Sequence, residues 1–178
     1  MFLTVFAFSA DPGLLGWFKS LMQDERSYIA ISPPYTSDLY FFILLNNAGH
    51  FWNPVRMLVW VPLLGTVSLG LELLLNGVII GALSVVVGMA NGILYPILGI
   101  VPHGIIEIPA FILEFASIIR WHVAIVEALM AKVSGEKVNT AKFRQNVKDS
   151  LTLAAVSVIL FAIAAFVETF ITPRLLGL

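Results

Sequence analysis

The chain has 178 residues, of which 59% are hydrophobic and 12% charged, with a formal net charge of −1 and no cysteine. An ordinary soluble domain carries roughly 25% charged residues, so this is membrane composition. The charge balance gives no general attraction for nucleic acid. The missing thiols exclude disulfides, thiolate metal sites and cysteine nucleophiles.

The N-terminal MFLTVFAFSA is apolar but much shorter than the roughly 20 residues a span requires, and no basic region precedes it as in a signal peptide. It reads as a peripheral segment or the stump of a longer helix. Residues 11–38 are mixed and turn-rich, with Pro12, Gly13 and Pro33-Pro34. Residues 1–38 are therefore expected to form an external segment with a short amphipathic piece, and residues 39–178 a transmembrane helical bundle.

Within that all-α bundle, a first short segment over 39–52 ends in Asn46, Asn47, His50 and Asn53-Pro54. It is expected to be half-buried or packed on a longer neighbour. The apolar stretch 55–88 would be about 50 Å long as one helix, too long for a single crossing without strong tilt. A break is predicted at Asn76-Gly77. GMANGILYPILGIVP, over 88–102, mixes Gly, Asn and Pro with apolar residues and predicts an irregular, re-entrant backbone. Long helices are then predicted over 103–132 and 140–172, the latter stopped by Pro173. The loop 131–149 holds Lys132, Lys137, Lys142, Arg144 and Lys148, so it is expected in the cytoplasm of a multi-pass cell-membrane protein.

At 100° per residue, His103, Glu107, Ala110, Glu114, Ser117 and Trp121 fall within about 80° of arc. Gly65, Ser68, Glu72 and Asn76 share a face of an earlier helix, and Ser157, Ala164, Glu168 and Thr172 one of the last. A carboxylate at mid-membrane costs about 2.5–3.5 kcal/mol even on lenient scales, so these faces are expected to meet. The predicted polar intramembrane site is Glu72, Asn76, His103, Glu107, Glu114 and Glu168, with Gly77, Gly104 and Pro109 as points of backbone break. The same residues serve equally as glue between helices. No cofactor is predicted; a divalent cation on His103, Glu107 and Glu168 is the one metal reading the residue types allow. HGIIE is not the HExxH of zinc proteases. Arg120 and Glu127 read as an ion-paired or snorkelling set, and His50 and His122, beside tryptophans, as interfacial anchors.

Three strings, LELLLNGVIIGA (71–82), PHGIIEIPA (102–110) and AAFVETFITP (164–173), with Asn46-Asn47 ahead of them, resemble the stage II sporulation protein M family. The resemblance covers about 41–173, and the PHG-to-EIPA string is its most specific part. It implies a multi-pass membrane protein, from a family named for a component of the complex supporting peptidoglycan remodelling during engulfment in spore formers. Relatives also occur in bacteria and archaea that make no spores, and the resemblance carries over no enzymatic activity. Members typically begin with a full transmembrane helix where this chain shows only its short apolar start. Asn76, Gly77, His103, Gly104, Glu107, Pro109 and Glu168 match the family pattern.

The resulting expectation is a non-enzymatic membrane component, homo-oligomeric and in contact with lipid and other membrane proteins, that organises envelope or membrane partners around its polar core. The alternatives are a small ion- or proton-coupled transporter or channel, and a metal-dependent membrane enzyme.

Overall fold

The computed structural model describes residues 34–177. Their regular elements are all helical: α1 (Ser37–Asn47), 3-10 turns at Gly49–Phe51 and Arg56–Trp60, α2 (Leu64–Asn91), α3 (Leu94–Val133), α4 (Thr140–Phe166), a π-turn (Val167–Ile171) and α5 (Thr172–Leu175). The apolar start and the amphipathic piece expected before Pro33 lie outside the described residues. Among the described residues three helices are long and apolar enough to cross a membrane: α2, α3 and the run Thr140–Leu175.

The sorting of side chains on α3 agrees with a lipid environment. Its outer face carries Ile105, Ile108, Ile112 and Ile119, each more than half exposed, whereas Ala110, Glu114 and Ser117 on the opposite face are completely buried. A soluble helix buries its large apolar residues. In lipid, small and polar residues are the ones that gain by facing protein.

The predicted break at Asn76-Gly77 does not occur: α2 runs unbroken through it. A mid-helix glycine costs about 1 kcal/mol relative to alanine, but opening the backbone in hydrocarbon would cost several kcal/mol per unsatisfied group. The predicted re-entrant segment is likewise helical. Residues 88–91 finish α2 and 94–102 begin α3, with the reversal confined to a tight turn. Gly92, at φ +86°, donates its N–H to the Gly88 carbonyl at 2.9 Å, which is a left-handed helix stop that glycine adopts without strain. Pro96 falls in the first turn of α3, where a missing N–H costs nothing. Nor does α3 break at Gly104 or Pro109.

The basic loop predicted over 131–149 contracts to residues 134–139. Gly135, at φ +71°, and Glu136 donate to the carbonyls of Lys132 and Ala131 at 3.3 and 2.8 Å, the paired bonds of a Schellman cap. Asn139 Oδ1 accepts the Lys142 N–H at 3.0 Å and starts α4. At 40 residues, α3 is about 60 Å long, twice the hydrocarbon thickness, so its end and the basic first turns of α4 extend beyond the core.

The described chain gathers into two compact units. One comprises Leu44–Gly70 with Ile105–Ala164; the other comprises the described residues up to Ile43, Leu71–Gly104 and the residues from Ala165 onward.

Candidate functional site

In the unit of Leu44–Gly70 and Ile105–Ala164, α3 and α4 run antiparallel along a seam of small residues. Ala110, Ser117 and Ala124, seven apart, are all at most 1% exposed. That spacing keeps them on one side of the helix. Across the seam, the Ser157 hydroxyl donates to the Ala110 carbonyl at 2.9 Å. The hydroxyls of Ser117 and Ser150 each donate to the other residue's carbonyl, at 2.8 and 2.9 Å. Toward the basic turn the seam becomes ionic. Lys142 Nζ meets Glu127 at 2.7 Å and Arg120 approaches Asp149 at 3.9 Å. Arg120 and Glu127 thus pair with α4 and not with each other.

The neighbouring face of α3 receives the chain from the end of α1 through the two 3-10 turns. Asn47 Nδ2 donates to Glu107 Oε1 at 2.7 Å. One helical heptad further, Glu114 Oε1 lies 3.0 Å from His50 Nδ1, and neither side chain has any exposure. Arg56 Nη2 stands 3.5 Å from the other ring nitrogen of His50. A guanidinium only donates, so this geometry makes His50 Nε2 an acceptor and puts the proton on Nδ1, aimed at Glu114. The result is a relay of carboxylate, neutral imidazole and guanidinium in which Arg56 balances the charge of Glu114. Arg56 also donates to the Asn46 carbonyl. A Cβ on Gly49 would collide with the Arg56 guanidinium, so the absence of a side chain there is what admits the arginine.

The segment is pinned further by three rings that donate to its carbonyls. Trp60 Nε1 donates to the His50 carbonyl at 2.8 Å, Trp121 Nε1 to that of Trp60 at 2.9 Å, and His122 Nε2 to that of Val59 at 2.8 Å. With Nε2 donating, His122 Nδ1 accepts from the Thr66 hydroxyl at 3.3 Å. His50 and His122, expected as interfacial anchors, are thus internal connectors.

In the other unit, Glu72 and Glu168 are half-buried, His103 is buried and Asn76 is exposed on α2. Among the described residues nothing lies within 4 Å of where a Gly77 side chain would begin. Asn76, expected in the polar site, is exposed on α2 and makes no polar contact among the described residues. Glu168 sits in the π-turn. Pro173 supplies no N–H for the Thr169 carbonyl, which instead accepts the Tyr35 N–H at 3.3 Å, while Thr172 N–H reaches back five residues to Val167. Arg174 lies 5.8 Å from the centre of the Tyr35 ring, within cation–π range. Among the described residues no three His, Asp or Glu side chains are grouped so as to hold a metal ion.

Two members of the relay, His50 and Arg56, were not in the predicted site. The signal was the polar density of NNAGHFWNPVR at the end of an apolar segment, opposite a helix whose buried Glu114 needs a balancing charge.

The family model described as Stage II sporulation protein M matches residues 3–173. Two relatives come from Methanocaldococcus jannaschii. The uncharacterized protein MJ0793 is 32% identical over 122 residues, covering 66% of this chain and 66% of the relative. The uncharacterized protein MJ0706 is 37% identical over 76 residues, covering 43% of this chain and 34% of the relative. The matched parts thus span about two thirds of the first relative's length and about one third of the second's. No solved structure matches the chain. With the family match extending over nearly the whole sequence and three membrane-length helices within it, this chain is a membrane protein belonging to the stage II sporulation protein M family.

Proposed function

We propose that the chain is a non-enzymatic component of the cell membrane that assembles with further copies of itself and organises membrane or envelope partners, its polar core serving to hold the bundle in one arrangement. The observation that carries this reading is the Glu114–His50 pair, without exposure on either side. Such a pair is closed to a substrate. Buried polar networks of this kind are best attested as devices that fix one packing over its alternatives. The basic turn between α3 and α4 is assigned to the cytoplasmic side by its lysines.

Self-association is supported by Asn76. An exposed amide on an apolar helix is poorly solvated by lipid and gains by hydrogen bonding to a second helix, and Gly77 beside it, with no side chain, lets a neighbouring backbone approach closely. Replacing Asn76 with Leu is expected to shift the assembly toward single chains, as measured by the mass of the protein in lipid nanodiscs. An unchanged assembly, or a wild-type protein that is already a single chain, would count against this reading.

One observation favours a cation- or proton-coupled transporter as the second reading. Glu107 is only half-buried and is held by the single neutral amide of Asn47, an arrangement that leaves a carboxylate free to exchange a proton or meet a cation.

A further inference from the structure

Hydroxyls on these helices bond either across to a neighbouring helix, as those of Ser117, Ser150 and Ser157 do, or back to the carbonyl one turn earlier. Ser68 does so to Leu64 at 2.9 Å, Ser84 to Ile80 at 2.7 Å and Thr152 to Lys148 at 2.9 Å. Thr169 and Thr172 depart from this. They are 0% and 5% exposed, and neither hydroxyl has a hydrogen-bond partner among the described residues. The π-turn accounts for the difference, because its wider winding displaces the carbonyls to which these hydroxyls would otherwise turn.

A third buried polar atom in the same unit shares the condition. His103 is 9% exposed, and its Nδ1 also has no partner among the described residues. Its place along α3 brings it to the same level. A Cβ on Gly99 would lie 3.8 Å from the Leu176 side chain, and Leu176 donates its N–H to the carbonyl of Thr172, one turn earlier. The helices run in opposite directions, so one turn from Gly99 arrives at His103 where one turn from Leu176 arrives at Thr172. Thr169 stands three residues before Thr172, inside the π-turn whose last backbone bond runs from Thr172 to Val167.

We propose that His103 Nδ1 and the hydroxyls of Thr169 and Thr172 line a polar pocket that binds a water molecule inside the membrane, beside the π-turn that carries Glu168. A buried water typically makes about three hydrogen bonds to groups that otherwise have none, and the proposed pocket supplies three such groups. The site makes the π-turn a hydrated point in an otherwise dry helix. It rests on no part of the reading of the other unit.

Thr→Val replaces a hydroxyl by a methyl of the same shape, so the sign of its effect separates the two states. An unpaired dry hydroxyl is a burden, and valine then raises the Tm. A hydroxyl that holds a water is an asset. Thr172→Val and Thr169→Val, measured by thermal unfolding in lipid nanodiscs, are each expected to lower the Tm by about 3 °C or more. The double variant should lose less than the sum, because both hydroxyls serve one guest. A rise in Tm in both single variants would overturn the proposal. So would a wild-type Tm that depends on exchanging sodium for potassium, ammonium or choline at constant ionic strength, provided Thr172→Val abolishes the dependence, since the guest would then be a cation. If a variant fails to fold, a high-resolution map of the wild-type protein decides. Ordered water within hydrogen-bond distance of all three side chains supports the site, and an apolar void refutes it.

Discussion

Replacing His50 with Ala is expected to destabilise the folded chain in lipid by about 3 kcal/mol, the cost of leaving a buried charged group without the donor that faces it. His50 stands between Glu114 and Arg56, and Glu114 has no exposure through which water could take over. The loss therefore reflects a carboxylate left in a medium that cannot solvate it, more than one missing hydrogen bond, which alone is worth about 1 kcal/mol. This origin gives the prediction a second arm. Glu114→Gln removes the charge, so His50→Ala made on top of it should cost far less than in the wild-type protein. A double-mutant cycle on unfolding measures the coupling, and purely additive effects would mean that the pair is only an adjacency.

The second large effect is expected at Gly65. A Cβ built there collides with the Val59 carbonyl carbon and oxygen and comes within 2.9 Å of His122 Cε1. Carbonyl atoms of a pinned turn cannot step aside as the tip of a long side chain can. That same Val59 carbonyl accepts the His122 hydrogen bond, and Val59 packs in a cluster with Leu69 and Ile118. Gly65→Ala should therefore overpack the joint, lose that bond and cost about 3 kcal/mol. Gly70→Ala is the control. Nothing lies within 4 Å of its added methyl group, so its effect should stay within about 0.5 kcal/mol. Equal effects at the two glycines would show that helix propensity, not contact with Val59, governs this part of α2.

Both predictions concern a joint that local sequence patterns reveal only in part. Helical periodicity was enough to place Glu107, Ala110, Glu114, Ser117 and Trp121 on one face of α3, because a face repeats every few residues and needs no knowledge of its partner. The partner of Glu114 is 64 residues away, and no periodicity spans that distance. The break predicted at Asn76-Gly77 fails for a different reason. The chain has two Asn-Gly pairs, at 76–77 and 91–92, and only the second ends a helix. Val78-Ile79-Ile80 follow the first, so the helix stays in hydrocarbon, where open backbone is costly. Pro96 follows the second and suits the first turn of a new helix. The dipeptide alone does not carry the distinction; what comes after it does. Charge alone makes the basic stretch 131–149 look like a loop, yet Gly135 and Asn139 already mark a helix stop and a helix start within it.

The exposed Asn76 and the buried His103 show the same divide. Matching positions on separate helices indicate which residues lipid would reject, but whether each faces its own chain or a neighbour depends on packing that helical phase does not encode. His103 turns inward, while Asn76 stays on the surface of α2.

The central claim is that the intramembrane polar residues of this chain hold it together and do not pass ions. Ion flux into sealed proteoliposomes tests this most directly, comparing the wild-type protein with Glu107→Gln under an imposed proton or monovalent-cation gradient. The predicted result is flux equal to that of protein-free vesicles in both forms. Saturable flux in the wild-type protein that disappears in Glu107→Gln would contradict it and establish transport in its place.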